Sequence, residues 1–198
     1  MTALINNYDE KAYYVQNAKY AIFCDLETTG LSVSKDEILT CGMIVTKWPE
    51  TENIIDAMIF KCKPNSWSLE AETIHKITKK EANTFDSKEV FTNKILSFLE
   101  KNIDDEFCPV FIQHAVKDQG NNYFDFSFLM YHFMYQDKIF DFYKYFSQSL
   151  SFSTITFAHN LKKKKKLDFE DAKLNTLCKM FNIKFNHHDV GDDTKALY

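Results

Sequence analysis

The sequence predicts an α/β fold, a central mixed five-stranded sheet flanked by helices. Two observations predict it. Three apolar runs follow one another with short polar links, which is the pattern of an antiparallel meander. Beyond them, helical periodicity alternates with two further short apolar runs, which adds strands and covers the sheet with helices.

The first strand is expected over about 19–25. Tyr20-Ala21-Ile22-Phe23-Cys24 is short, aromatic and β-branched, and Asp25-Leu26-Glu27-Thr28-Thr29-Gly30 follows it directly. The second strand is expected over 37–47, stopped by Trp48-Pro49, and the third over 54–62, stopped by Lys63-Pro64-Asn65. Residues 68–75 read as a short helix, and 87–101 as an amphipathic helix that Ser87 can cap. A buried strand is expected over 107–112, where Pro109 argues against a central position. Helices are expected over 124–135 and 137–146, a strand or strand-to-helix turn over 152–158, and a helix over 171–181. A final helix opens after His187-His188-Asp189-Val190-Gly191-Asp192-Asp193. Residues 1–18 are polar and weakly patterned and read as a peripheral leader. Residues 19–198 read as one domain, because no repeat or linker divides them.

At 198 residues the chain is long enough to bury a substantial core, and 45% apolar with 16% aromatic residues supply one. The formal net charge is −4, so the whole molecule is no electrostatic magnet for nucleic acid. All basic residues are lysine, so phosphate contacts come from ammonium groups, backbone N–H groups or hydroxyls. Cysteines 24, 41, 62, 108 and 178 are scattered through apolar runs without a C-x-x-C pair. That pattern fits reduced, buried thiols in a cytoplasmic protein and excludes a disulfide scaffold or zinc site. No apolar stretch reaches membrane-spanning length, so no membrane partner is expected. The run Lys162–Lys166 reads as a solvated loop, with a phosphate-tracking patch as the alternative.

Asp25 and Glu27 are two positions apart on a strand, so both carboxylates point to one face. Adjacent like charges repel, and burying them unpaired is costly. A divalent cation resolves that conflict, and oxygen ligands suit magnesium or manganese. The bland alternative is a strand end with two solvated acids.

Downstream residues shift the balance. Asn121-Asn122-Tyr123-Phe124-Asp125-Phe126-Ser127-Phe128-Leu129 places a carboxylate at the start of an apolar helix. Lys173-Leu174-Asn175-Thr176-Leu177-Cys178 is followed by His188, four residues, and Asp193. With Asp25-Leu26-Glu27-Thr28-Thr29-Gly30-Leu31, these three segments resemble the DEDD exonucleases. The resemblance is to the DnaQ-like group, in the subgroup whose third motif carries a histidine. Glu70-Ala71-Glu72-Thr73-Ile74-His75 is a lesser match. The resemblance spans about residues 19–198 and implies a ribonuclease-H-like fold.

The resemblance further implies that Asp25, Glu27, Asp125 and Asp193 hold two Mg2+ or Mn2+ ions, with His188 as general base. The implied activity is 3′→5′ release of 5′-mononucleotides from single-stranded ends, DNA more than RNA. A polymerase or other protein partner is compatible with it. Thr28, Thr29, Leu31, His75, Asn121 and Phe128 are the implied substrate-binding residues. For His75 a surface-helix histidine is the alternative, and for Thr28 and Thr29 a purely turn-forming role. His187 with Asp192 has the same spacing as His188 with Asp193; the second pair is preferred because it places apolar Val190 two positions after the histidine. The loop 114–122 departs from the family pattern, lacking its usual His-Asn before the aspartate. Only five residues follow Asp193, so the last helix is expected to be marginal unless packing compensates or the chain is part of a longer protein. The competing class is a catalytically silent binding module that keeps the fold.

Overall fold

The computed structural model describes residues 13–104, 107–115, 123–184 and 189–198. Residues 13–17 are helical and lead into the sheet. Strands β1 (Tyr20–Thr28), β2 (Ile38–Lys47) and β3 (Ile54–Lys61) form the meander. Helices α1 (Leu69–His75), α2 (Lys79–Ala82) and α3 (Lys88–Asn102) follow, then β4 (Val110–Gln113), α4 (Phe124–Tyr135) and α5 (Ile139–Tyr145). A 3-10 turn precedes β5 (Ser151–Ser153), and α6 (Thr154–Lys163), α7 (Leu174–Met180) and α8 (Val190–Leu197) complete the order.

The sheet has five strands in the order β3-β2-β1-β4-β5. β1–β2 and β2–β3 pair antiparallel, while β1–β4 and β4–β5 pair parallel. This is the expected mixed sheet. β1 lies at its centre, and residues 20–24 of it are wholly buried because helices cover both faces.

The two-residue period of β1 sorts its side chains between two cores. Ile22, Cys24 and Leu26 join the larger one, built with α3, α4 and α5. Its aromatic centre is Phe142, stacked on Phe146 at 4.7 Å between ring centroids and edge-on to Phe126 at 5.3 Å. Ala21 and Phe23 join the opposite core with Leu174 of α7 and Leu197 of α8. Asp25 and Glu27 continue this second series, so they emerge on the side that α8 covers.

Several boundaries differ from expectation, each for a local reason. β1 continues to Thr28 instead of ending at residue 25, because Asp25, Leu26 and Glu27 still pair with Gly42, Cys41 and Thr40. The two acids therefore lie within the strand rather than at its end. β4 starts at Val110, so Pro109 precedes it and removes no ladder bond. Asp137 has φ 53 in the left-handed region, which makes it a turn between α4 and α5 rather than helix. α7 starts at Leu174; Asp171 precedes it and accepts from the Thr176 hydroxyl at 2.6 Å. The segment 152–158 holds the end of the three-residue strand Ser151–Ser153 and turns into a helix at Thr154, with Ser153 as its cap. The lysine run begins in the last turn of α6, and all five side chains are exposed.

The last helix is not marginal. α8 makes two turns, and Val190, Asp193, Thr194 and Leu197 form a buried stripe at the i, i+3, i+4, i+7 spacing. Tertiary packing against β1 and β2 supplies what an eight-residue helix lacks on its own. None of the described helices is long and apolar enough to cross a membrane. The five cysteines are free thiols, four of them buried and Cys108 half-buried.

Candidate active site

The site is assembled by three elements. β1 presents Asp25 and Glu27 side by side, and α8 lays Asp193 over them. One carboxylate oxygen from each of these three residues lies within 4.8 Å of the others. Asp193 is 4% exposed, whereas Asp192 turns outward, 3.5 Å from Lys195. The helical stripe makes that choice between the two neighbours: position 193 shares a face with Val190 and Leu197, and position 192 does not. Asp189 fixes the start of α8 by accepting from the N–H groups of Gly191 and Asp192, each at 3.0 Å.

Asp125 enters from the other side, in the first turn of α4, and is 4% exposed. The Leu26 N–H donates to its carboxylate, which ties the helix start to β1 between the two strand acids. Gln113, wholly buried on β4, accepts from the Phe126 N–H at 3.2 Å and holds the same turn. Gln113 carried no signal in the sequence, since a lone glutamine ending a short apolar run has no distinguishing spacing.

The electrostatics of the cluster are those of unneutralised acids. Burial, followed by the charges of Asp125, Asp193 and Glu27, pushes Asp25 well above the usual carboxylate range. Burial, then Asp193 and Asp125, raises Glu27 to about 8. Burial raises Asp125 to about 7, against the lowering effect of its own N–H and that of Leu26. Four acids this close together, two buried and two half-buried, resist ionising together. An all-oxygen donor set of this kind fits hard divalent cations such as Mg2+ or Mn2+ and does not fit a thiolate-seeking metal.

The loop after β1 is internally bonded. The Thr28 hydroxyl donates to the Gly30 carbonyl at 2.6 Å. The Thr29 hydroxyl accepts from the Glu37 N–H at 2.9 Å, and the Thr29 N–H donates to the Glu37 carbonyl at 2.9 Å. Both threonine side chains are therefore engaged in the turn. A Cβ at Gly30 would lie 2.6 Å from the Asp36 carboxyl group, so a larger residue there would displace that side chain. Leu31 projects outward, 85% exposed.

Two expectations about binding residues are corrected. Phe128 is 2% exposed and packs on Phe124 at 4.7 Å, because on α4 it falls on the core face; it is not available to stack on a base. His75 is neither a surface histidine nor at an open rim. It is buried, accepts from the Ile77 N–H at 3.0 Å through Nδ1, and meets Trp67 edge-on at 6.1 Å. His188, His187 and Asn121 lie outside the described residues.

Gly42 was overlooked in the sequence. It pairs directly with Asp25, and a Cβ on it would meet Thr194 Oγ1 at 2.1 Å. An isolated glycine inside an apolar strand is the available signal for such a close approach.

A family profile described as exonuclease (RNase T) matches residues 22–198. No curated protein sequence matches the chain significantly. Among solved structures, E. coli exonuclease I in complex with a dT13 oligonucleotide superposes with a TM-score of 0.73 at 19% identity, covering 90% of this chain and 39% of that one. The zinc-bound form of the E. coli ExoI–ssDNA complex gives 0.73 at 18% identity, covering 91% and 39%. At that identity the likeness establishes the ribonuclease-H-like exonuclease fold, and the chain spans about two-fifths of the length of these proteins. With the profile running from the first strand through the last helix, the chain belongs to the exonuclease family.

Proposed function

We propose that the protein is a metal-dependent 3′→5′ exonuclease that releases 5′-mononucleotides from single-stranded 3′ ends, DNA in preference to RNA. The observation that carries this reading is the convergence of Asp25, Glu27 and Asp193 within 4.8 Å, with Asp125 coupled to them. Family membership supports the nuclease chemistry, and the structural neighbours solved with single-stranded DNA favour DNA.

Asp25 lies between the other three acids and is the residue suited to hold both cations. Glu27 and Asp193 would hold a cation together with Asp25, and Asp125 would contribute from α4. When bound, the two cations supply Lewis acidity at the scissile phosphate and lower the pKa of the attacking water. His188 is suited to accept the proton of that water, a role that imidazole can fill at neutral pH. The exposed side chain of Leu31 offers an apolar surface to the terminal nucleotide. With no arginine in the chain, backbone N–H groups, hydroxyls and lysines orient the phosphates.

The test is digestion of matched 5′-labelled single-stranded DNA, duplex DNA and RNA with Mg2+ or Mn2+. The expected result is stepwise shortening from the 3′ end with 5′-mononucleotide products, fastest on single-stranded DNA. Asp193→Asn is expected to lose more than about a hundredfold in rate, beyond the usual cost of losing an outer partner of a ligand. Asp192→Asn should stay within about threefold, as expected for a half-buried acid that turns away from the cluster toward Lys195. No product from any substrate with either metal rejects the enzyme reading, and faster digestion of RNA replaces the DNA preference.

A further inference from the structure

Gly42 lies in β2 directly opposite Asp25, on the face that α8 covers. A Cβ placed there would sit 2.1 Å from Thr194 Oγ1, 3.2 Å from Thr194 Cβ and 2.7 Å from the Val190 carbonyl oxygen. Thr194 is 1% exposed, and its hydroxyl donates to that same carbonyl. The carbonyl is helix backbone and cannot swing aside, and the Thr194 hydroxyl is held to it in a closed space. Gly191 offers a contrast within the same helix. A Cβ there would meet Ile59 Cδ1 at 2.7 Å, the mobile end of a half-exposed side chain, and Asp189 Oδ1 at 3.2 Å.

The geometry ties the two sides of the site together. Positions 190 and 194 of α8 rest on Gly42, and position 193 of the same buried stripe carries the carboxylate that meets Asp25 and Glu27. Asp25 and Glu27 are fixed by the β1–β2 ladder and do not depend on α8 for their place. Any side chain at position 42 lifts the helix and leaves the strand acids behind. Restoring an ordinary contact to the Val190 carbonyl needs a shift of roughly 0.7 Å, more than the ~0.5 Å within which a site must be held.

We propose that Gly42 is a positioning residue: its missing side chain sets the depth at which α8 holds Asp193 against Asp25 and Glu27, and thereby the affinity of the site for divalent cations. The inference rests on the proposed metal-dependent activity and adds the residue that fixes the spacing of its ligands.

The test uses the whole chain, with Mn2+ as the probe and the thermal midpoint as the readout. The Mn2+ concentration for half-maximal stabilisation is expected to rise at least about tenfold in Gly42→Ala, while Gly191→Ala stays within about threefold; a comparable loss follows when a ligand shell loosens. A folded Gly42→Ala protein with an unchanged Mn2+ midpoint overturns the inference. Should Gly42→Ala fail to fold, Gly42→Ala/Thr194→Ala removes the closest contact and keeps the one to the Val190 carbonyl. Its midpoint is expected at least about threefold above wild type on the same grounds, and equality with wild type overturns the inference. Wild-type protein that shows no Mn2+ response at all refutes the proposed function instead, so the two failures are distinguishable.

Discussion

Asp25→Asn is expected to abolish nuclease activity and, in the absence of metal, to make the protein more stable. The two effects have one cause. Asp25 is pushed well above the usual carboxylate range by burial and then by Asp125, Asp193 and Glu27. An amide of the same shape removes one member of a mutually repelling set, so the remaining acids ionise more easily in the folded state. The gain is expected to grow as pH rises through the range in which these acids ionise, and to show as a higher thermal midpoint in chelator. The same substitution removes the carboxylate suited to bridge two cations, so Mn2+ should no longer raise the midpoint. Paired melts of wild type and Asp25→Asn, with chelator and with Mn2+, check both halves. A variant that is inactive yet less stable without metal would show that Asp25 holds the fold together through contacts other than those seen here.

Metal-free stability is expected to fall as pH rises from about 4.5 to about 8. Glu27 has its ordinary value of 4.5 in the unfolded chain and about 8 in the fold; Asp125 has 3.8 and about 7. Between those values the unfolded chain has released protons that the folded protein still binds. Stability therefore declines with pH, by about 1.4 kcal/mol per unit for each group that stays protonated. The contribution is fully present below the unfolded values and is lost as pH passes through the folded ones. Glu37 works in the opposite sense. Its partial burial acts upward, but hydrogen bonds from Lys88, Ser66 and Asn65 hold it below its ordinary value, so its contribution is lost on acidification. Together these give a metal-free optimum on the acid side of neutrality, measured by denaturant melts in chelator across pH 4 to 9. Saturating Mn2+ should flatten the decline above pH 6. A metal-free protein that is most stable at pH 8 would contradict the reading of the cluster.

The sheet and much of the site were legible because simple periods encode them. A period of two placed Asp25 and Glu27 on one face, and the apolar run beginning at Phe124 marked α4 with its observed limits. The preference for Asp193 over Asp192 rests on the place of Val190 after the histidine, and the buried stripe of Val190, Asp193, Thr194 and Leu197 gives the physical reason for it. What remained illegible was tertiary. The segment 152–158 reads as a strand or a strand-to-helix turn, and only the short pairing of β5 with β4 and the Ser153 cap decide for the turn. Phe128 looked available beside Asp125, but its face of α4 is the core face. His75 looked superficial in a polar helix, yet it is buried, with Trp67 edge-on and the Ile77 N–H on its Nδ1. The role of Gly42 depends on a helix almost 150 residues downstream, which local patterning cannot foresee.

The most direct test of the account is a calorimetric titration of Mn2+ into the chelator-stripped protein at pH 7.5, for wild type, Asp25→Asn and Asp193→Asn. The account predicts saturable binding by wild type with release of protons, as the raised acids give them up to the cation. It predicts loss of that binding in Asp25→Asn and at least about tenfold weaker binding in Asp193→Asn. Wild-type protein that binds no Mn2+, or an Asp25→Asn variant that binds it as wild type does, would contradict the claim that these carboxylates form a cation site.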